Sequence, residues 1–172
     1  MRRILLGVTG SIAAYKAVEL LRLFVKNGDD VRVVMTPAAV QFVQPLTFQT
    51  LSRNPVAVES FAPPLEWKPE HIALSDCDLA VVAPATANTI AKIRWGIADN
   101  LLTSTLLATR APIAISPVMN DGMLANPITQ ENIAALAARG MQIIMPDSGD
   151  LACGSSGAGR MPDPVEIFKA LK

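Results

Sequence analysis

The residues of this chain that can do chemistry are few, and they recur at one kind of place. Small hydroxyl and amide residues follow apolar runs: Thr9-Gly10-Ser11 after Ile4 to Val8, Thr36 after Met35, and Thr86-Ala87-Asn88-Thr89 after Leu79 to Ala83. Hydroxyls and open main-chain amides at a helix start attract anions, phosphate above all. Ser11 can hold a phosphate in this way or simply cap a helix, and the Thr86 to Thr89 run admits the same two readings. Asn120 lies in a second polar turn, Pro117 to Met123. Cys153 sits in the middle of a stretch, 149–160, whose four glycines suggest a flexible flap. His71 is the one histidine, and only its neighbours can give it a role. The two cysteines, Cys77 and Cys153, and that single histidine make no metal-ligand pattern.

The elements that must position these groups read as alternating strands and helices. Ile4 to Val8, Asp30 to Met35, Leu79 to Ala83, Ile113 to Ser116 and Gln142 to Met145 are short apolar runs suited to strands buried on both faces. Val56 to Val58 is a weaker one. Pro84 lacks a backbone donor and is expected to end strand pairing there. Ile12 to Asn27 has helical spacing, with Ile12, Val18, Leu21 and Val25 as inward candidates and Gly28 closing it. Further helices are expected near Thr47 to Leu51, from Ile90 to Trp95, from Asp99-Asn100 through Thr109, from Ile128 to a stop at Gly140, and from Pro164 onward. Phe42, one turn past Thr36, can lie against a planar ligand or join the core. Cys77 reads as core. The stretch Gln44 to Lys68, with Pro63-Pro64 and Trp67, is rich in proline and reads as a contact surface or lid. Strands alternating with helices predict a doubly wound parallel α/β sheet of about six strands, Rossmann-like or flavodoxin-like, in three α/β/α layers. Its ligand belongs at the carboxyl ends of the strands. The absence of G-x-G-x-x-G favours a mononucleotide over a dinucleotide.

Composition narrows the function. At 172 residues the chain is expected to be one domain, 1–172. Hydrophobic residues make up 51% and charged residues 17%, so part of the surface is expected to be covered by other subunits. The net charge is zero with no basic run, which argues against nucleic-acid binding. No window has the length of a membrane span, and the chain enters a strand at once instead of a signal peptide. A cytoplasmic enzyme or binding protein fits these features.

Five motifs in order carry a resemblance that covers essentially the whole chain: Gly7-Val8-Thr9-Gly10-Ser11-Ile12-Ala13-Ala14, His71-Ile72-x-Leu74, Pro84-Ala85-Thr86-Ala87-Asn88-Thr89, Pro117-Val118-Met119-Asn120-x-x-Met123 and Leu151-Ala152-Cys153-Gly154. The set resembles the homo-oligomeric flavin-containing cysteine decarboxylases, and within them the members that act on phosphopantothenoylcysteine in coenzyme A biosynthesis. The resemblance implies an FMN site in which Gly10, Ser11 and Ile12 hold the phosphate end. It places Thr36 and Ala38 near the cofactor, Phe42 against its ring, Thr86, Ala87, Asn88 and Thr89 along the phosphate and ribityl chain, and the Val118 backbone close by. It implies a site lying between subunits of a homotrimer, or of a multiple of trimers.

The implied reaction is decarboxylation of 4′-phospho-N-pantothenoylcysteine to 4′-phosphopantetheine. Its carboxylate has no adjacent electron sink, so flavin first oxidises the thiol to a thioaldehyde. CO2 then leaves, and the enethiolate is reduced again. The resemblance assigns proton movement or orientation of the cysteine end to His71, and carboxylate binding to Asn120. It makes Cys153 the proton donor to the enethiolate. Met123, Asp150 and Ala152 are implied substrate contacts. Two positions depart from the family: Leu124 stands where a tryptophan is common, and Ser155 where an acidic residue is common. In bacteria such a domain is often fused to a synthetase, and this chain reads as either a stand-alone form or an excised domain. Alternatives are a peptidyl-cysteine decarboxylase, a flavin prenyltransferase and a non-catalytic regulatory flavoprotein. A flavodoxin-like carrier would want an acidic docking face, which zero net charge does not suggest.

Overall fold

A computed structural model describes residues 1–61, 67–150, 154 and 156–172. From the amino terminus the elements are β1 (Arg3–Val8), α1 (Ala14–Lys26), β2 (Asp30–Met35), α2 (Pro37–Val40), α3 (Pro45–Ser52) and β3 (Val56–Ala57). Next come α4 (Glu70–Ser75), β4 (Leu79–Ala85), α5 (Ala87–Trp95), α6 (Leu101–Ala108) and β5 (Ile113–Pro117). The chain continues through α7 (Asp121–Ala125), α8 (Pro127–Ala138), β6 (Gln142–Ile143), β7 (Asp147–Asp150), β8 (Ser156–Arg160) and α9 (Pro164–Ala170). Six strands form one sheet in the order β3-β2-β1-β4-β5-β6, every neighbouring pair parallel.

Side chains alternate across the pleat, so each inner strand feeds two apolar layers. Ile4, Leu6, Val8, Val33, Met35 and Val81 face α1 and α9, where Leu20, Leu21, Phe24 and Ile167 complete one core. Leu5, Val34, Val82 and Ile115 face the other way, against Ile90 of α5, Leu101, Leu102 and Leu106 of α6, and Leu136 of α8. The result is the expected three-layer doubly wound α/β/α fold. The chain runs outward from β1 through β2 and β3, then returns to β4 on the other side of β1. Strand order thus reverses between β1 and β4, and that is where open sheets of this type leave a crevice.

Several expectations need correction. β4 does not stop before Pro84: it runs to Ala85, which pairs with Pro117, and a register shift between Val82 and Ala85 takes the donor-less proline out of the ladder. The Ala83–Pro84 peptide is cis. The first long helix begins at Ala14, two residues later than expected, and Ile12 is 57% exposed instead of facing the core. Ile12 belongs to the turn between β1 and α1, so the helical period does not govern its direction. Gly28 behaves as expected, lying just past the helix at φ +86° with its N–H on the Val25 carbonyl. The cap of α5 is Thr86, so that helix starts at Ala87 instead of after Thr89. The turn after β5 contains the short α7, begun by Asn120 as cap. The glycine-rich stretch forms antiparallel strands β7 and β8 at its base, while Leu151, Ala152, Cys153 and Ser155 lie outside the described residues. Pro63-Pro64 lies outside them too. Cys77 is half-buried at the edge of the second core instead of inside it.

Candidate functional site at the strand ends

Thr9 builds the centre of the crevice. Its Oγ1 donates to the Pro84 carbonyl at 2.7 Å and accepts from the Thr86 N–H at 3.0 Å. One buried hydroxyl therefore ties the loop after β1 to the loop after β4 and satisfies two main-chain groups. Sequence reasoning missed this role, although a hydroxyl directly after the first strand was its signal.

Each loop turns its polar residue to main-chain donors, Thr36 and Thr86 as helix caps and Ser11 within the turn before α1, whose own cap, Ala13, makes no side-chain bond. Ser11 Oγ accepts from Ala13 N–H at 3.2 Å, and Thr36 Oγ1 from Ala39 N–H at 3.3 Å. Both oxygens act as acceptors there, so each retains an O–H proton to donate. Thr86 Oγ1 caps α5 through Thr89 N–H at 3.5 Å and donates to Thr89 Oγ1 at 3.3 Å. The Ala87 and Asn88 N–H groups, in the first turn of this helix, have no intrahelical acceptor. Gly10 permits the close approach of the β1 loop to α2: a Cβ there would lie 2.5 Å from the Ala38 Cβ. Gly10, Ser11, Thr36, Ala38, Thr86, Ala87, Asn88 and Thr89 all follow parallel strands of one sheet and so lie at the same end of it. Phe42, 49% exposed, is not a core residue, and with Ile12 it is a large apolar side chain left open.

The loop after β5 completes this end. Val118 N–H donates to the Ala85 carbonyl at 3.0 Å, which sets the loop beside Thr86. Asn120 follows, exposed, with Oδ1 accepting from Gly122 N–H at 2.9 Å. That bond orients the carboxamide, since the oxygen is turned into α7 and the NH2 group occupies the opposite edge. Met123 is 50% exposed beyond it, and Leu124, in place of the common tryptophan, is buried in the second core. On the far side the Met119 N–H donates to the Gly159 carbonyl at 3.2 Å, joining the loop to β8.

Hydrogen bonds among the described residues do not tie every expected residue to these loops. His71 stands on α4, which packs against α6, and no hydrogen bond among the described residues links it to the loops above. Cys153 and Ala152 lie outside the described residues, and of Asp150 only its place at the end of β7 is described. Among the described residues no cluster of His, Cys, Asp or Glu suits a metal ion.

The donor set fits a phosphate ester carrying a planar apolar group. Neutral hydroxyls and first-turn amides face the strand ends, with Ile12 and Phe42 as open apolar surface nearby.

A doubly wound sheet with this hydroxyl-lined switch point defines a mononucleotide-binding class of protein. The whole chain, residues 1–172, matches the Flavoprotein family, and it belongs to that family. It is 47% identical over 171 residues to the coenzyme A biosynthesis bifunctional protein CoaBC of Haemophilus influenzae, covering 99% of this chain and 43% of that protein. The chain therefore spans less than half the length of that relative. Among solved structures it is similar to a cysteine-to-serine variant of PPC decarboxylase complexed with pantothenoylaminoethenethiol (TM-score 0.87, 32% identity, 99% of this chain and 96% of that one). It is likewise similar to the FMN-dependent cysteine decarboxylase SpaF (TM-score 0.84, 30% identity, 99% and 95%).

Proposed function

We propose that residues 1–172 form one catalytic domain, a cytoplasmic FMN-dependent phosphopantothenoylcysteine decarboxylase. The observation that carries the reading is the Val118–Ala85 hydrogen bond. It holds the Asn120 loop beside the hydroxyl-lined end of β4, so that a group on Asn120 and a group on the Thr86 loop share one crevice. The likeness to CoaBC and to PPC decarboxylase supports the same substrate. No helix among the described residues is long and apolar enough to cross a membrane.

Gly10, Ser11 and Ile12, with Thr86 to Thr89, would hold the FMN phosphate and ribityl chain. Thr36, Ala38, Phe42 and the Val118 backbone would border the ring. When bound, FMN supplies the two-electron oxidation of the substrate's thiol end and returns those electrons after CO2 has left. The Asn120 carboxamide grips the substrate carboxylate by its NH2 edge. A neutral donor suits this task, because a cation would stabilise the anion that must be lost. Met123, Asp150 and Ala152 border the substrate, and Cys153 hands a proton to the enethiolate carbon. His71 belongs to the same chemistry, in a site that a homotrimer would complete between its subunits.

The test is mass spectrometry of 4′-phosphopantothenoylcysteine incubated with the FMN-loaded protein, without nicotinamide. Conversion to 4′-phosphopantetheine is expected. Turnover of a peptide ending in cysteine, with the phospho-substrate left intact, would replace this reading by a peptidyl one.

A further inference from the structure

The base of the β7–β8 hairpin holds a feature that neither the family motifs nor the proposed chemistry uses. The two strands pair Asp147 with Arg160 and Ser148 with Ala158, so Gly159 is an extra, bulged residue. It is buried and its φ is +133°, outside the range L side chains prefer. Its carbonyl accepts the Met119 N–H at 3.2 Å, and a Cβ on it would overlap the Met119 carbonyl. Two residues earlier, a Cβ on Gly157 would come within 2.9 Å of the Asp121 Cβ. The hairpin base therefore lies against Met119 and Asp121, the two residues flanking Asn120. Bulges re-aim the chain beside functional sites, and this one faces the residue assigned to the substrate carboxylate.

We infer that Gly159 is a positioning residue. Its bulge clamps the hairpin base to the Met119 main chain and so sets the position of the Asn120 carboxamide. Val118, bonded to Ala85, and Met119, bonded to Gly159, hold the Asn120 backbone between the cofactor end of β4 and the hairpin. Only a residue without Cβ can sit so close to the Met119 carbonyl. The inference deepens the decarboxylase reading and rests on it for Asn120's role.

The experiment compares Gly159→Ala with Gly140→Ala in FMN-loaded protein. Gly140 has φ +87° and nothing within 4 Å of a built Cβ, so its variant carries backbone strain without the clash. For Gly159→Ala we expect an FMN affinity and visible spectrum like the parent's, with KM for phosphopantothenoylcysteine raised roughly tenfold to a hundredfold, as losing a hydrogen bond to a charged group costs. Gly140→Ala should keep the parental KM. A parental KM in Gly159→Ala, or an equal rise in both variants, overturns the inference. Should Gly159→Ala not fold, amide exchange in the parent decides. Strong protection of the Met119 N–H supports the clamp, and exchange at the rate of an open loop overturns it. That measurement does not depend on turnover. A parent that fails to decarboxylate therefore counts against the enzyme reading, and exchange still judges the clamp.

Discussion

Thr9 and Thr86 are joined across the switch point: the Thr86 N–H donates to Thr9 Oγ1 at 3.0 Å, and that same hydroxyl donates to the Pro84 carbonyl at 2.7 Å. Two loops 77 residues apart thus share one buried side chain, which braces the crevice between them.

Thr9→Val keeps the shape of the residue and removes both bonds. We expect a loss of about 1–3 kcal/mol from a buried carbonyl and a part-buried N–H left unpaired, with weaker FMN binding. Thr9→Ser should restore most of both. Denaturant unfolding and flavin-fluorescence titration read the two effects, and parental FMN affinity in the valine variant would show that the bridge does not shape the site.

Asn120→Asp retains an oxygen for the Gly122 N–H, so α7 keeps its cap. The protein should fold, bind flavin and stay yellow. Decarboxylation should fall below detection, since a second carboxylate repels the substrate's own. Retained turnover would remove Asn120 from the carboxylate site.

Cys153→Ser separates the two halves of the reaction. CO2 should still be released, while the product stops as an oxidised enethiol instead of the aminoethanethiol. Mass spectrometry distinguishes the two by two hydrogens. Ordinary phosphopantetheine from this variant would exclude Cys153 as the proton donor.

Stability should fall in acid through two named carboxylates. Burial opposes the charge on Asp29, yet hydrogen bonds from the Arg2 guanidinium and the Asn27 amide outweigh it and hold its carboxyl below the ordinary value. Asp78 is held low by the Arg3 main-chain N–H and then by its guanidinium. A carboxyl lowered in the folded state stabilises above its unfolded value, near about 3.9, and that contribution disappears as pH falls through the folded value. Urea midpoints should therefore drop below about pH 4. Asp29→Asn should flatten this fall, and an unchanged pH profile in that variant would rule out Asp29 as its source.

Cys77 should be slow to alkylate. Burial pushes its thiol up, and a contact with Thr109 Oγ1 at 3.6 Å offsets this only in part. In the Cys153→Ser background, iodoacetamide at neutral pH should add little mass until urea is present. Labelling at the rate of a free thiol would contradict the burial argument.

Local chemistry made much of the molecule legible from the chain alone. Apolar runs such as Ile4 to Val8 and Ile113 to Ser116 are strands because a sheet buried on both faces needs no alternation. Asn100, Asp163 and Thr36 start helices through side-chain oxygens within three residues of their donors, an interaction written in adjacent sequence. The hydroxyl motifs after β1, β2 and β4 could be placed at one end of the sheet for the same reason, since parallel strands share a direction.

What the tertiary structure alone decided depends on partners far along the chain. β4 continues through Pro84 because β5 supplies the pairing at Pro117 and the register shift spares the missing donor. Ile12 faces outward because the turn between β1 and α1, not helical periodicity, orients it. His71 is carried on α4, and a motif cannot reveal that this helix packs against α6. The bulge at Gly159 and its bond to Met119 arise only once β8 pairs with β7 and meets the loop after β5. Residue types determined which groups were available, and non-local hydrogen bonds decided which of them meet.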